Sequence, residues 1–230
     1  MLVREGDPAG KTMGKMVKAD IVYNRVLFIF LYTAVFLAAV TNAILGSLEA
    51  QLSTLMFFSV VLIGVTAGLE EIKSKRIRFL AGLPITIRQI GIFRYSVFVP
   101  YWSSLMLLLW ISTLVSRQGQ IGMDYLWWVL TRTGAVFIWI ACMDLSQDFP
   151  LCYRKKGLGY FSKWLVLLVG VFGGPLIYFA TNPRQQIEPF FSAFSDVFLT
   201  PTGALGLFLL SLALMMLSVI VFEKRKSYTE

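Results

Sequence analysis

LFIFLYTAVFLAAVTNAILG occupies residues 27–46 and contains no charged side chain. About 20 apolar residues in helical conformation cross the hydrocarbon core of a bilayer, so this stretch is long enough to span one. Five further runs of the same kind lie at 52–69, 96–115, 125–144, 164–182 and 203–222. A backbone in contact with lipid must satisfy its hydrogen bonds internally, which makes each run a helix. The period-2 alternation of a transmembrane barrel is absent. The spacing therefore predicts an all-α, polytopic membrane protein of six transmembrane helices, folded as a single transmembrane domain over 1–230.

Composition excludes the main alternatives. Of the 230 residues, 57% are apolar and 15% charged, and the mean hydropathy is +0.71. Soluble domains average about a quarter charged residues, so a soluble globular domain and a disordered chain are both ruled out. The formal net charge is +8. In a soluble protein it would suggest nucleic acid, but here the cations mark topology instead. Arg4, Lys11, Lys15, Lys18 and Arg25 precede the first run. Lys73, Lys75, Arg76, Arg78, Arg88 and Arg94 lie between the second and third. Arg154, Lys155, Lys156 and Lys163 lie between the fourth and fifth, and Lys224, Arg225 and Lys226 follow the sixth. These alternate segments hold 18 of the 21 cations; the intervening ones hold only Arg117 and Arg184. Cations accumulate on the cytoplasmic side, so both termini are expected there, in a multi-pass protein of the cell (inner or plasma) membrane. The first run, with a polar lead and no small-residue cleavage site, is expected to be a retained signal anchor.

The connections differ in character. Residues 47–51 and 116–124 are little more than turns. In 183–202, Ile187, Phe190, Phe191, Phe194 and Phe198 share one helical face between Pro183 and Pro201. This outer helical segment reads either as a packing lid or as a part of substrate release. In the lead, 1–26, Met13, Met16, Val17, Asp20, Ile21 and Asn24 trace one side of a helix. That side suits either an amphipathic helix on anionic membrane lipids or a basic juxtamembrane stop. The 70–95 connection is the richest. Glu70 and Glu71 favour a helix N-terminus through the macrodipole, Gly82 and Pro84 stop that helix, and Thr86-x-x-Gln89 fits a capping box that restarts one. The resulting elbow presents Leu83, Pro84 and Ile85 either to a partner or to lipid headgroups. Residues 223–230 form a cytoplasmic tail.

Catalytic motifs fail one by one. Gly6-Asp7-Pro8-Ala9-Gly10-Lys11-Thr12 is one residue short of a phosphate-binding loop and follows no strand. Glu70-Glu71 is similar to an element of intramembrane CAAX-type proteases, but Lys75 stands at the required Arg and the chain has no His to bind metal. Asp144 and Asp148 lack the aspartate-rich partner motif of lipid phosphotransferases. The chain is therefore expected to be non-catalytic, with neither cofactor nor metal bound to it. Cys142 and Cys152 do not suggest a disulfide framework. Arg132, inside the fourth run, is expensive in lipid unless it is paired, lines water or snorkels. Asp124, Glu188, Asp196 and Glu49 are its expected partners, and contact with an anionic substrate is the other reading. Gly173-Gly174-Pro175 suggests a kink or close helix approach in the fifth run, and only Trp110 and Trp139 of the six Trp are expected deep in a span.

The elbow resembles the connection between the second and third spans of ABC-2-type permeases, the membrane subunits of ATP-binding-cassette (ABC) exporters. Their pattern is an acidic/basic cluster, a Leu-rich turn, Leu-Pro with an aliphatic residue and Ser/Thr, and a basic residue with an Ile/Val restart. Here it reads Glu71 to Lys75, Phe79-Leu80, Leu83-Pro84-Ile85-Thr86 and Arg88-Gln89-Ile90. The family's mid-cluster Gly-Thr is replaced by Lys75-Arg76-Ile77, and Arg76 stands where binding-protein-dependent importers carry a Gly. The resemblance implies a partner ABC ATPase that binds ATP and magnesium, and a second permease subunit in a homo- or heterodimer. It also implies ATPase coupling through Glu70, Glu71, Lys75, Phe79, Leu80, Leu83, Pro84, Thr86, Arg88 and Gln89. It leaves the exported substrate open. The other reading of the residues is a non-ABC membrane scaffold or carrier whose basic elbow binds anionic lipid.

Overall fold

The path of the chain follows from where its helices can start and stop. A computed structural model describes residues 9–46, 49–72, 86–119, 121–148, 158–181 and 196–224. Among these residues the regular structure is helical, without a strand. The elements are α1 (Ala9–Tyr23), α2 (Arg25–Leu45), α3 (Glu49–Ile72), α4 (Ile87–Ser116) and α5 (Met123–Asp148). After them come α6 (Leu158–Leu168), a π-helical turn (Val169–Gly173), α7 (Gly174–Ala180) and α8 (Pro201–Glu223).

The helix ends carry recognisable chemistry. α2 stops at Gly46, whose φ of +66° places it in the left-handed region, and its N–H donates to the Asn42 carbonyl at 2.8 Å. Glycine adopts that conformation at no steric cost. α4 starts from the capping box expected of Thr86 and Gln89. The Gln89 N–H donates to Thr86 Oγ1 at 3.3 Å, and the Thr86 N–H donates to Gln89 Oε1 at 2.8 Å. α8 opens with Thr200 Oγ1 accepting from the Gly203 N–H at 3.1 Å, followed by Pro201 in the first turn, where its missing N–H costs nothing.

Four helices, α2, α4, α5 and α8, are long and apolar enough to cross a membrane, which marks the chain as a membrane protein. α5 lies at the centre. Of its most apolar stretch 67% is buried, against 28% for α2 and for α8. It packs against α8, α6, the π turn and α7, while α4 packs against α1, α2, α3 and α8. Small residues set the close approaches. A Cβ on Gly134 of α5 would stand 3.3 Å from the α8 backbone at Leu207 and Phe208. One on Gly170 would stand 2.5 Å from Cys142 Cβ, and one on Gly174 2.8 Å from Trp139 Cβ. Such contacts let helix backbones meet where lipid supplies no hydrophobic drive for association.

Hydrogen bonds tie the same helices across the core. Asn42 of α2 donates to Ser112 Oγ of α4 at 2.8 Å, and Ser112 donates in turn to the Ala39 carbonyl. Tyr101 of α4 donates to Ser59 of α3 at 3.1 Å, and Trp102 Nε1 of α4 to Thr133 Oγ1 of α5 at 3.1 Å. Around this core, Ile29, Phe30, Phe36 and Leu37 of α2 and Leu209, Leu210 and Met216 of α8 are exposed apolar side chains. On a protein in water they would be a liability; on a membrane protein they suit lipid.

One expectation is corrected here. Glu70 and Glu71 do not open a helix: α3 continues through them to Ile72, so the acidic pair lies in a last turn, which the macrodipole disfavours. Of the tryptophans, Trp102, Trp128 and Trp139 are buried within the bundle and Trp110 is exposed on its surface. In the lead, Met16, Val17 and Asp20 of α1 and Asn24 just after it are half-buried, and Ile21 is exposed.

Gly174→Ala would set a methyl group 2.8 Å from Trp139 Cβ and 3.1 Å from the Ala135 carbonyl oxygen. We expect it to cost about 1–3 kcal/mol, as overpacking does, and to lower Tm in detergent. Gly14→Ala, with nothing within 4 Å of its added Cβ, will leave Tm unchanged or raise it.

Candidate functional site

Because α5 is buried on most of its circumference, a charge on it has no short route to solvent. Arg132 lies in its third turn and is fully buried. Trp128, one turn earlier and on the same face, lies against the guanidinium with its ring centroid 4.4 Å from Cζ. Tyr178 of α7 lies 4.3 Å from Cζ. Nη1 donates to Ser53 Oγ of α3 at 2.8 Å. The Tyr178 hydroxyl donates to the Ser53 carbonyl, and Trp128 Nε1 donates to the Thr181 carbonyl at 3.0 Å. Thus α3, α5 and the end of α7 are joined through one guanidinium. More rings surround the cage: Phe57 stands 4.5 Å from Tyr178 between centroids, and Trp102 6.3 Å.

Three of the expected acidic partners, Glu49, Asp124 and Asp196, do not pair with Arg132. Glu49 accepts from Arg117 Nη2 at 2.9 Å instead. Asp124 and Asp196 are exposed, and Glu188 lies outside the described residues. Arg132 therefore neither snorkels nor forms an ion pair among the described residues, and its Nε and Nη2 have no hydrogen-bond partner there. Desolvating an ion costs several kcal/mol even after relaxation. A cation–π contact returns about 0.5–2 kcal/mol and a hydrogen bond to a charged group about 1.5–3 kcal/mol. Two ring contacts and one hydrogen bond offset much of the charge burial. Each donor left over still costs about 1–3 kcal/mol, so the cluster is electrostatically incomplete.

A second buried charge stands near the far end of α5. Arg94 Nη1, two turns into α4, donates to Asp148 Oδ2 at 2.8 Å, and the side chains are 8% and 0% exposed. The Arg94 guanidinium also covers the Phe222 ring of α8 at 3.8 Å. Beside it, Gly91 admits Val219 and Phe222, either of which a Cβ would meet at 3.2 Å. The first turns of α4 are thereby fastened to the last turns of both α5 and α8. The cation also sits where two helix C-termini concentrate negative potential.

The remaining residues singled out in the sequence fall as follows. Glu70 and Glu71 lie in the last turn of α3, Thr86 caps α4, and Arg88 and Gln89 lie in its first turn with Arg88 exposed. Lys75, Phe79, Leu80, Leu83 and Pro84 lie outside the described residues, as do Cys152 and most of 183–202. Gly173 closes the π turn, and Gly174 and Pro175 open α7. The irregular turn thus stands directly before the proline whose ring removes a backbone donor. No group of three or more metal-ligating side chains occurs among the described residues. Sequence reasoning missed Ser53, Trp128 and Tyr178 as partners of Arg132. The i, i+4 spacing of Trp128 and Arg132 was the one available signal; the other two come from distant helices. Comparison of the chain with protein-family models, with curated proteins and with solved structures gives no match.

Arg94→Met would remove the cation bonded to buried Asp148 Oδ2. Breaking a buried pair this way costs about 3–5 kcal/mol, whereas replacing both partners with apolar residues is close to neutral. Unfolding in mixed micelles should therefore show Arg94→Met as much less stable than Arg94→Met/Asp148→Leu.

Proposed function

We propose that this chain is the permease subunit of an ABC exporter, lining the path of a substrate whose export is driven by ATP on a separate ATPase. The observation that carries the reading is the capped start of α4. The 70–95 stretch with its permease-like pattern leads directly into the Thr86–Gln89 capping box. Arg94 then joins that helix to the end of α5.

In this reading α3 and the helical run 158–180 cross the membrane beside α2, α4, α5 and α8, giving six spans. The basic segments then lie together on the cytoplasmic side with both termini, in the cell membrane. Two such subunits pair, and an ATPase carrying ATP and magnesium docks on each elbow around Leu83 and Pro84. Closure of the ATPases displaces the elbow. The first turns of α4, from the capping box to Arg94 and ahead of Pro100 inside the same helix, carry that displacement as a short lever. The Arg94–Asp148 pair passes it to α5, the helix that holds Arg132. Hydrolysis belongs to the partner, and this chain supplies the path and the lever.

The test is affinity purification of the chain from its own membranes with mass spectrometry of what accompanies it. An ATPase subunit with a complete nucleotide-binding motif should co-purify, and Leu83→Asp should abolish that association while leaving protein abundance unchanged. A stable, abundant chain that brings down no ATPase would overturn the proposal in favour of a lipid-binding scaffold.

A further inference from the structure

We infer that the Nε–Nη2 edge of Arg132 is a binding site for an amphiphilic oxyanion, a carboxylate or phosphate group carried on an apolar body. The surroundings of the guanidinium leave one direction for a ligand. The Trp128 and Tyr178 rings stand 4.4 and 4.3 Å from Cζ, and Nη1 is held by Ser53. What remains is the edge that carries two buried donors, Nε and Nη2, which make no hydrogen bond among the described residues.

That edge selects chemistry. Nε and Nη2 present two roughly parallel N–H groups, the fork that a carboxylate or phosphate accepts with two oxygens at once. A neutral carbonyl or hydroxyl would meet one donor and leave the positive charge uncompensated. The oxyanion meets both donors and cancels the charge. Glu49, the first residue of α3, is committed to Arg117.

The environment decides what carries the oxyanion. Phe57 lies against Tyr178, Phe179 and Trp139 around the cage, with ring centroids 4.5, 5.4 and 6.3 Å away. A small hydrated anion would lose its water among these rings and recover only the two donors. An anion with an apolar tail gains in addition from burying that tail against apolar side chains. As the substrate site of an exporter, this assignment rests on the function proposed above; as an oxyanion site it does not.

The experiment is equilibrium binding to the purified full-length chain in neutral detergent, without any ATPase. The probes are dodecanoate and dodecyl phosphate, with dodecanol as the uncharged probe of equal tail length. The unaltered chain should bind both anions saturably and about ten-fold or more tighter than dodecanol, the ratio expected of one charged hydrogen-bonded contact. Arg132→Gln should erase that preference. If it does not fold, Arg132→Lys carries the test, since an ammonium keeps the charge but loses the fork, and the preference should fall. Mass spectrometry of retained lipid separates the sources. An anionic phospholipid held by the unaltered chain and lost in the variant makes the ligand a membrane lipid; probe binding by a chain that retains none makes it a solute. Equal binding of dodecanoate and dodecanol overturns the site, as does an unchanged preference in Arg132→Gln. A preference that emerges only in Glu188→Gln overturns it too, by giving the edge to the chain's own carboxylate. None of these outcomes alters co-purification with an ATPase, so the two proposals fail separately.

Discussion

Two fully buried charged side chains, Arg132 and Asp148, sit on α5, the most enclosed of the four long apolar helices. Neither can be solvated where it lies, so each must be answered by neighbouring helices, and those answers organise much of the fold. Asp148 draws Arg94 and the first turns of α4 onto the end of α5, with Phe222 of α8 closing over the guanidinium. Arg132 draws Ser53 of α3 and Tyr178 of α7 around its third turn. The two compensations differ in kind. One is an ion pair of good geometry, and the other is aromatic and leaves two donors over.

That difference separates roles along α5. A satisfied, buried ion pair holds two helices in a fixed relation and is strongly destabilised when one partner is removed. It suits a joint that transmits movement. An under-compensated charge is poorly explained as structure alone, because its burial is offset only in part by the groups around it. It suits a place where a further group belongs. The close approaches through Gly134, Gly170 and Gly174 hold α5 between α8 and the 158–180 run, so both charges keep their surroundings within one packed unit.

The helices themselves were largely legible in the sequence, and so was the capping box. Thr86 and Gln89 interact within four residues, so their pattern carries its own geometry. The acidic pair was misjudged for the complementary reason. Glu70 and Glu71 are compatible with either end of a helix when read as letters, and α3 simply continued through them. The cage of Arg132 was half legible. Trp128 lies at i−4 on the same helix, but Ser53 lies 79 residues away, where no local period reaches.

Asp148 makes the same point most clearly. In the sequence it was an isolated acid, because its partner lies 54 residues earlier in another apolar helix. The sequence by itself determined that this is an all-helical membrane protein, where its long apolar helices run, and that its cations concentrate in alternate segments. Those properties depend on transfer of side chains from water and on hydrogen bonds within a turn, which are local quantities. Only the tertiary structure decided that α5 lies innermost, that Arg94 meets Asp148, and that Arg132 is enclosed by rings with one edge unanswered. Those depend on which helix faces meet, and lipid, being as apolar as the side chains, gives composition alone no means of telling an inward face from an outward one.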